Sequence, residues 1–528
     1  MDNFTAILES MPSLENLIKS QSGSLVLASH PDKPLLVPCL VLLPFLLFSL
    51  IRLGTTSPVA LTHHRDPATI RLYNPRTGKV KSADLMDYIK KKCPSLSDPA
   101  RAFFRPTLWM ISGHLQTAYA AYRDFDETYV INYDRELLST PDGGTVSIDW
   151  APSLVKMPAD DTPTLVLLHG LTGGSHEAYI RALVDTMTRD HGYRCVVFNA
   201  RACANTELTS AQLYCGSWTE DLRMVVKHIR KTLPEAKLMS VGFSLGANIL
   251  MNYMGEEGDN CEFLGAMSVG NPFDLMGTCL AIERGFLGRY IYSPAMGGNL
   301  RRIFFKHAKM FENSDVVDLE AVKRSVTIRD FDEQVTRRVF KYRTVHEYYR
   351  MASSSQRILD IKRPFLCLNA LDDPVAVSEC LPVDEIRENP FGLLATTSRG
   401  GHLGWFEGFW SQERWCTRPL AEFCIAMFEA DNRPVSLTPS MKPAQSNESN
   451  ESHATGVMVR KQGSDGATTT PVRHLDVELE QQRQPPQPRK STHDSYNPGE
   501  LQKSMAWSRK TFWATIVPLV VYYLMKRR

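Results

Sequence analysis

Five short apolar runs constrain this chain more than any other feature. They are "TLVLLHG" (Thr164 to Gly170), "RCVVFNA" (Arg194 to Ala200), "KLMSVGF" (Lys237 to Phe243), "FLGAMSVG" (Phe263 to Gly270) and "PFLCLNAL" (Pro364 to Leu371). Each is strand-length and apolar on both alternating faces, the pattern of a strand covered by helices above and below. Between the second and third runs lies "TEDLRMVVKHIRKTL", in which Leu222, Val225, Val226 and Ile229 share one helical face and the acidic residues sit at the start. Strands alternating with amphipathic helices predict a doubly wound, mostly parallel α/β sheet.

The third run continues as "KLMSVGFSLGANILMNYM", which puts Ser244 between Gly242 and Gly246 where a strand hands over to a helix predicted from about Ala247. A Gly-x-Ser-x-Gly pattern alone is weak, because any small residue in a tight turn can satisfy it. A serine hydroxyl becomes a nucleophile only when an imidazole accepts its proton, and that imidazole needs an acid to orient it. On a sheet of this kind the order along the chain is serine, acid, histidine. "NALDDPVAV" supplies Asp373 after one predicted strand, and "TSRGGHLGWFEG" supplies His402 after another. A lone histidine in such a loop is more often structural; the ordered trio favours catalysis.

Asp372 is the local rival of Asp373. Asp373 is preferred because the Pro374-Val375 that follows suits a turn off the strand end, leaving Asp372 as a loop-orienting or solvated carboxylate. Acyl transfer also needs donors for a developing oxyanion. The backbone N–H of Leu245 is one candidate, and Leu171 in "HGLTGGS" is the other. His169 then reads as a structural histidine below the hole.

Two apolar runs flank this region. "LLVPCLVLLPFLLFSLI" (Leu35 to Ile51) has no basic leader and no small-residue cleavage site, so it reads as an anchor rather than a removed signal peptide. It is short and interrupted by Pro38 and Pro44, so a spanning and an interfacial segment both fit. Arg52, Arg65, Arg71, Arg76, Lys79 and Lys81 follow it, which predicts a cytosolic downstream domain. "TFWATIVPLVVYYLM" (Thr511 to Met525) has basic flanks and aromatic ends suited to a membrane interface. Between them, the polar tract from Asn432 to Glu500 is too poor in large apolar residues to offset chain entropy and is expected to be a disordered tether. A formal net charge of +2 argues against a nucleic-acid surface. Eleven scattered cysteines without CxxC pairs argue against structural zinc and a disulfide framework.

Further motifs carry a family resemblance: "FRPTLWMISGHLQTAY" (Phe104 to Tyr119), "YDRELLSTPDGGTVSIDW" (Tyr133 to Trp150), "LLHGLTGGSHEAYIR", "SVGFSLGANIL", "SVGNPFDL", "EYYRMASSS" (Glu347 to Ser355) and "LNALDDP". With these the chain resembles a branch of the α/β-hydrolases. That branch holds fungal medium-chain fatty acid ethyl ester synthase/esterases, bacterial hydrolase relatives and mammalian membrane-anchored hydrolase-domain phospholipases. The likeness covers roughly residues 103–428 and carries the triad over as Ser244, Asp373 and His402. It departs at Ala202, where the family commonly has glycine; this leaves the triad untouched but bears on substrate preference.

The resemblance implies an α/β-hydrolase fold in which residues of about 272–360, with "RRIFFKHAKMF" and "RRVFKYRTVHEYY", form a helical lid; an ordinary helical layer with a basic face is the alternative. The expected organisation is an anchor segment over 1–60, an extension packing on the core over 61–130, the hydrolase domain over 131–430, a tether over 431–505 and a membrane-associated segment over 506–528. The expected activity is transfer of a medium-chain acyl group from an acyl ester or acyl-CoA donor, through acyl-Ser244, to an alcohol or to water at a membrane-lipid surface. A phospholipase acting on medium-chain or oxidised phospholipids is the alternative within the same chemistry. A catalytically inactive, membrane-tethered binding module is the alternative of another class. No cofactor and no metal are expected.

Overall fold

The computed structural model describes residues 52, 54–73, 80–123, 128–408 and 412–430. The apolar runs 35–51 and 511–525 and the polar tract 432–500 lie outside the described residues. Among the described residues no helix is long and apolar enough to cross a membrane.

A nine-stranded sheet organises the chain. Its strands are β1 (Ala60–His63), β2 (Asp134–Ser139), β3 (Thr145–Ala151), β4 (Thr164–Leu168), β5 (Arg194–Asn199), β6 (Leu238–Phe243), β7 (Ala266–Val269), β8 (Phe365–Ala370) and β9 (Gly392–Thr397). In space they run β1-β9-β8-β7-β6-β4-β5-β3-β2. The six strands from β9 to β5 are mutually parallel. β1, β3 and β2 join antiparallel at the edges. All five apolar runs contain strands of the parallel block, and each strand is buried over its whole length.

That burial follows from helices on both faces. On one side α1 (Leu85–Lys92), α3 (Ala178–Asp185) and α9 (Thr417–Glu429) pack on Leu165, Leu167, Val197 and Val241. On the other side α4 (Glu220–Thr232) and α5 (Leu245–Glu257) pack on Val166, Leu168, Val196 and Leu238. Neighbouring residues of one strand face opposite layers, so an apolar residue is needed at every position. The buried stripe of α4 includes the predicted Leu222, Val225, Val226 and Ile229. Among the described residues the ten cysteines are all unpaired, and eight are buried.

The strand order reverses between β4 and β6. From β4 the chain steps outward to β5; from β6 it steps the other way, through β7 and β8 to β9. Open α/β sheets present their ligand crevice at the carboxyl ends of the strands beside such a reversal. Here those ends carry Leu171, in the loop after β4, and Ser244, directly after β6.

Two segments close over this edge. α2 (Gly113–Tyr122) precedes the sheet's second strand, and between β7 and β8 the chain makes a helical insertion containing α6 (Leu275–Arg284), α7 (Ser293–Lys306) and α8 (Val345–Ala352). Leu300, Phe304, Phe311, Val322, Phe331 and Val335 give the insertion its own apolar core. In the loop after β5, Ala202 has a φ of +61°, the left-handed conformation that glycine adopts freely and alanine does not.

Candidate active site

The turn after β6 is tighter than the sequence predicts, since the helix starts at Leu245 rather than near Ala247. Ser244 absorbs the whole change of direction, with φ +52° and ψ −120°, a region costly for any residue with a side chain. The flanking glycines make room. A Cβ on Gly242 would lie 2.5 Å from the Gly246 carbonyl oxygen, and one on Gly246 would run into the carbonyl oxygens of Leu168 and His169. The hydroxyl is thereby presented above the carboxyl edge of the sheet.

Ser244, Asp373 and His402 come together there. Ser244 Oγ is 2.9 Å from His402 Nε2, and Asp373 Oδ2 is 2.8 Å from His402 Nδ1. A carboxylate only accepts, so the neutral ring carries its proton on Nδ1 and turns the Nε2 lone pair to the serine hydroxyl. Asp373 Oδ1 accepts the backbone N–H groups of Val375 (2.7 Å) and Ala376 (2.9 Å), a turn immediately after β8. Asp372 points elsewhere: its Oδ1 accepts the Gly401 N–H at 2.9 Å. Burial first, then the neighbouring charge of Asp373, pushes the Asp372 carboxyl up to about 6.

The loop after β4 completes the edge. Tyr179 OH accepts the Gly170 N–H at 3.0 Å, and Tyr214 OH accepts the Thr172 N–H at 2.6 Å. Between these pinned groups, the N–H of Leu171 has no protein acceptor among the described residues, and neither has the N–H of Leu245 at the start of α5. Leu171, Ser244 and Leu245 line one cavity. His169 lies beneath: its Nδ1 bonds the Gly170 carbonyl (2.6 Å) and its Nε2 accepts the Ala200 N–H (3.1 Å). Burial pulls this ring down to about 4, so it is neutral at pH 7 and holds the loop.

The cavity comprises about 1040 Å³ of space between atoms, the open solvent at its entrance included. Its wall is mostly apolar, with Leu213, Leu275, Ile282, Met296, Leu300 and Ile303 among the lining residues. Most of that wall comes from the insertion. Polar side chains interrupt it, Glu283, Arg329 and Asp332 among them. Asp332 Oδ1 accepts from Thr336 (2.6 Å) and Oδ2 from Tyr349 (2.9 Å), and burial raises the Asp332 carboxyl to about 6. The sequence singled out neither Asp332 nor Tyr214, since a carboxylate among helical residues and a tyrosine in a loop carry no motif. Among the described residues no group of three or more histidine, cysteine or acidic side chains is placed to hold a metal ion.

Comparison with known proteins agrees with this architecture. The family description "alpha/beta hydrolase fold" matches residues 163–381. A monoacylglycerol lipase of Saccharomyces cerevisiae is 37% identical over 421 residues, covering 72% of this chain and 92% of the relative. Human phospholipase ABHD3 is 33% identical, over 65% of this chain and 82% of its own length. The yeast medium-chain fatty acid ethyl ester synthase/esterase 2 is 28% identical, over 65% and 89%. The chain therefore belongs to the α/β-hydrolase family, and it is a hydrolase of that fold with lipase and phospholipase relatives.

Proposed function

We propose that this chain is a serine hydrolase of lipid acyl esters. The observation that carries the reading is the hydrogen-bonded chain from Asp373 through His402 to Ser244, which lines an apolar cavity. Ser244 Oγ attacks the acyl carbonyl while His402 Nε2 takes its proton. The N–H groups of Leu171 and Leu245 face the oxyanion. The tetrahedral intermediate collapses to acyl-Ser244, and His402 returns the proton to the departing alcohol. Water, deprotonated by the same imidazole, then releases the fatty acid; an alcohol in its place yields an ester instead. The monoacylglycerol lipase that this chain resembles over 92% of the lipase's length makes monoacylglycerols the first substrates to test. Ester synthesis and phospholipid hydrolysis share the same residues.

In this proposal the site works at a membrane surface. The apolar run 35–51 ends next to Arg52, whose guanidinium bonds the Pro106 carbonyl at 3.0 Å, and the same loop exposes Trp109 and Ile111. An aromatic and an aliphatic side chain exposed in a loop bonded to Arg52, which follows the apolar run in sequence, suit an interfacial position.

A fluorophosphonate probe and an acyl-ester panel test the proposal on the full chain. Labelling that is lost in Ser244→Ala, with release of fatty acid from monoacylglycerol vesicles, is expected. Failure of the wild-type chain to label sinks the enzyme reading. Preferential cleavage of phospholipids, or transfer to ethanol exceeding hydrolysis, replaces the proposed substrate or acceptor.

A further inference from the structure

The motif "SGHLQTAY" has no role in the chemistry so far, yet the helix it forms, α2, lies against the histidine loop. The Thr117 hydroxyl accepts the backbone N–H of His402 at 2.8 Å and donates to the Gly113 carbonyl at 2.7 Å, so both of its hydrogen-bonding roles are committed. One residue earlier, Gly401 has a φ of +60°, and a Cβ there would sit 2.8 Å from Thr117 Oγ1 and 2.9 Å from Gln116 Cβ. Gln116 holds the far side of the loop, its Oε1 accepting the Phe406 N–H at 2.8 Å while its Nε2 donates to the Met110 carbonyl at 2.7 Å. Arg399 reaches the Ile111 carbonyl on the near side. Asp372, packed against Gly113 at the start of α2, takes the Gly401 N–H.

We propose that Thr117 is a positioning residue for His402, and that α2 forms one wall of the active site although it lies outside the matched residues 163–381. This rests on reading Ser244, His402 and Asp373 as catalytic. The physical reason lies in the loop itself. His402 follows two glycines, Gly400 and Gly401, both at positive φ, and this stretch has little stiffness of its own. A backbone rotation at Gly401 would carry the imidazole off the line between Ser244 and Asp373. The Thr117 hydroxyl opposes that rotation at the residue that matters, because it binds the N–H of His402 itself. A displacement of about 1 Å at a reacting group costs on the order of 100-fold in rate.

The test compares Thr117→Val, which keeps the shape and removes the acceptor, with Thr117→Ser, which keeps the hydroxyl. Fluorophosphonate labelling rate, kcat and KM on a soluble short-chain ester, and Tm are measured on the full chain, with Ser244→Ala as the control. We expect Thr117→Val to lower the labelling rate and kcat together by about 10- to 100-fold with KM within about 2-fold, and Thr117→Ser to stay within about 3-fold of wild type. The proposal is overturned if Thr117→Val labels within about 2-fold of wild type, if both variants lose activity alike, or if KM rises while kcat holds. Should Thr117→Val fail to fold, Thr117→Ala is judged by the same criteria; if neither folds, Thr117 is a stability residue and the proposal falls. A wild-type chain that never labels removes the catalytic reading and this proposal with it. A labelling wild type beside an equally reactive Thr117→Val removes the proposal alone.

Discussion

Asp373 divides its two oxygens between different partners: Oδ2 stands 2.8 Å from His402 Nδ1, while Oδ1 is occupied by the backbone N–H groups of Val375 and Ala376. This division decides what Asp373→Asn does. The amide oxygen must take the Oδ1 position, because two N–H donors face it. The NH2 group then faces His402 Nδ1 as a donor, and the imidazole has to move its proton to Nε2. A protonated Nε2 cannot accept from Ser244. We expect kcat to fall by about 10³- to 10⁴-fold at pH 7 with Tm little changed, as a rate assay and a melt would show.

Ser244 sits at φ +52°, ψ −120°, so the nucleophile is bought with backbone strain on the order of 1–3 kcal/mol. Glycine adopts this conformation without a side-chain clash, although it loses more entropy on folding. Ser244→Gly is therefore expected to be inactive yet more stable than wild type by about 1 kcal/mol in chemical denaturation. Ser244→Ala keeps the Cβ and is expected to be inactive without that gain. Equal stability of the two variants would count against strain at the elbow.

How much was legible in the sequence follows from where the constraints lie. The five strands were readable because burial on both faces demands unbroken apolar runs, and the serine turn because close backbone approach demands Gly242 and Gly246. The order of Asp373 and His402 after Ser244 was readable because each follows a strand. The edge strands β1, β2 and β3 left no comparable signal; burial along β1 and β2 is incomplete, so they lack the unbroken run. The bracing of the histidine loop by Thr117 and Gln116 was invisible, since α2 lies hundreds of residues away along the chain and meets the loop only in the fold. The helix start was misplaced by two residues because the sequence does not reveal that Ser244 alone turns the chain.

The insertion's side chains supply most of the cavity wall, so under the proposed function acyl preference is a packing property. Ile303 on α7 lines it. Ile303→Trp adds bulk without polarity, so it should exclude long chains while leaving the reacting end untouched. We expect the ratio of activity on a twelve-carbon ester to that on a four-carbon ester to fall by about 10-fold or more, read in a chain-length series. A uniform loss across the series would mean that Ile303 lies away from the acyl path.

Asp332 offers a test of the cavity wall through pH. Its carboxyl is raised to about 6 by burial, against an ordinary value near 3.8. Between these values the folded chain holds a proton that the unfolded chain has lost, so folding is favoured by acid here. The contribution is fully present below about pH 4 and is lost as pH rises through about 6. Asp332→Asn removes the charge, and the Thr336 and Tyr349 hydroxyls can each turn to donate to the amide oxygen or accept from its NH2. The variant should therefore be more stable than wild type at pH 7.5, by at most about 3 kcal/mol, with the difference closing as pH falls to 4. Denaturant titrations of both proteins across that range check it. A difference that stays constant with pH would show that Asp332 is ionised in the fold as readily as in water, and that the cavity wall at this point is wet.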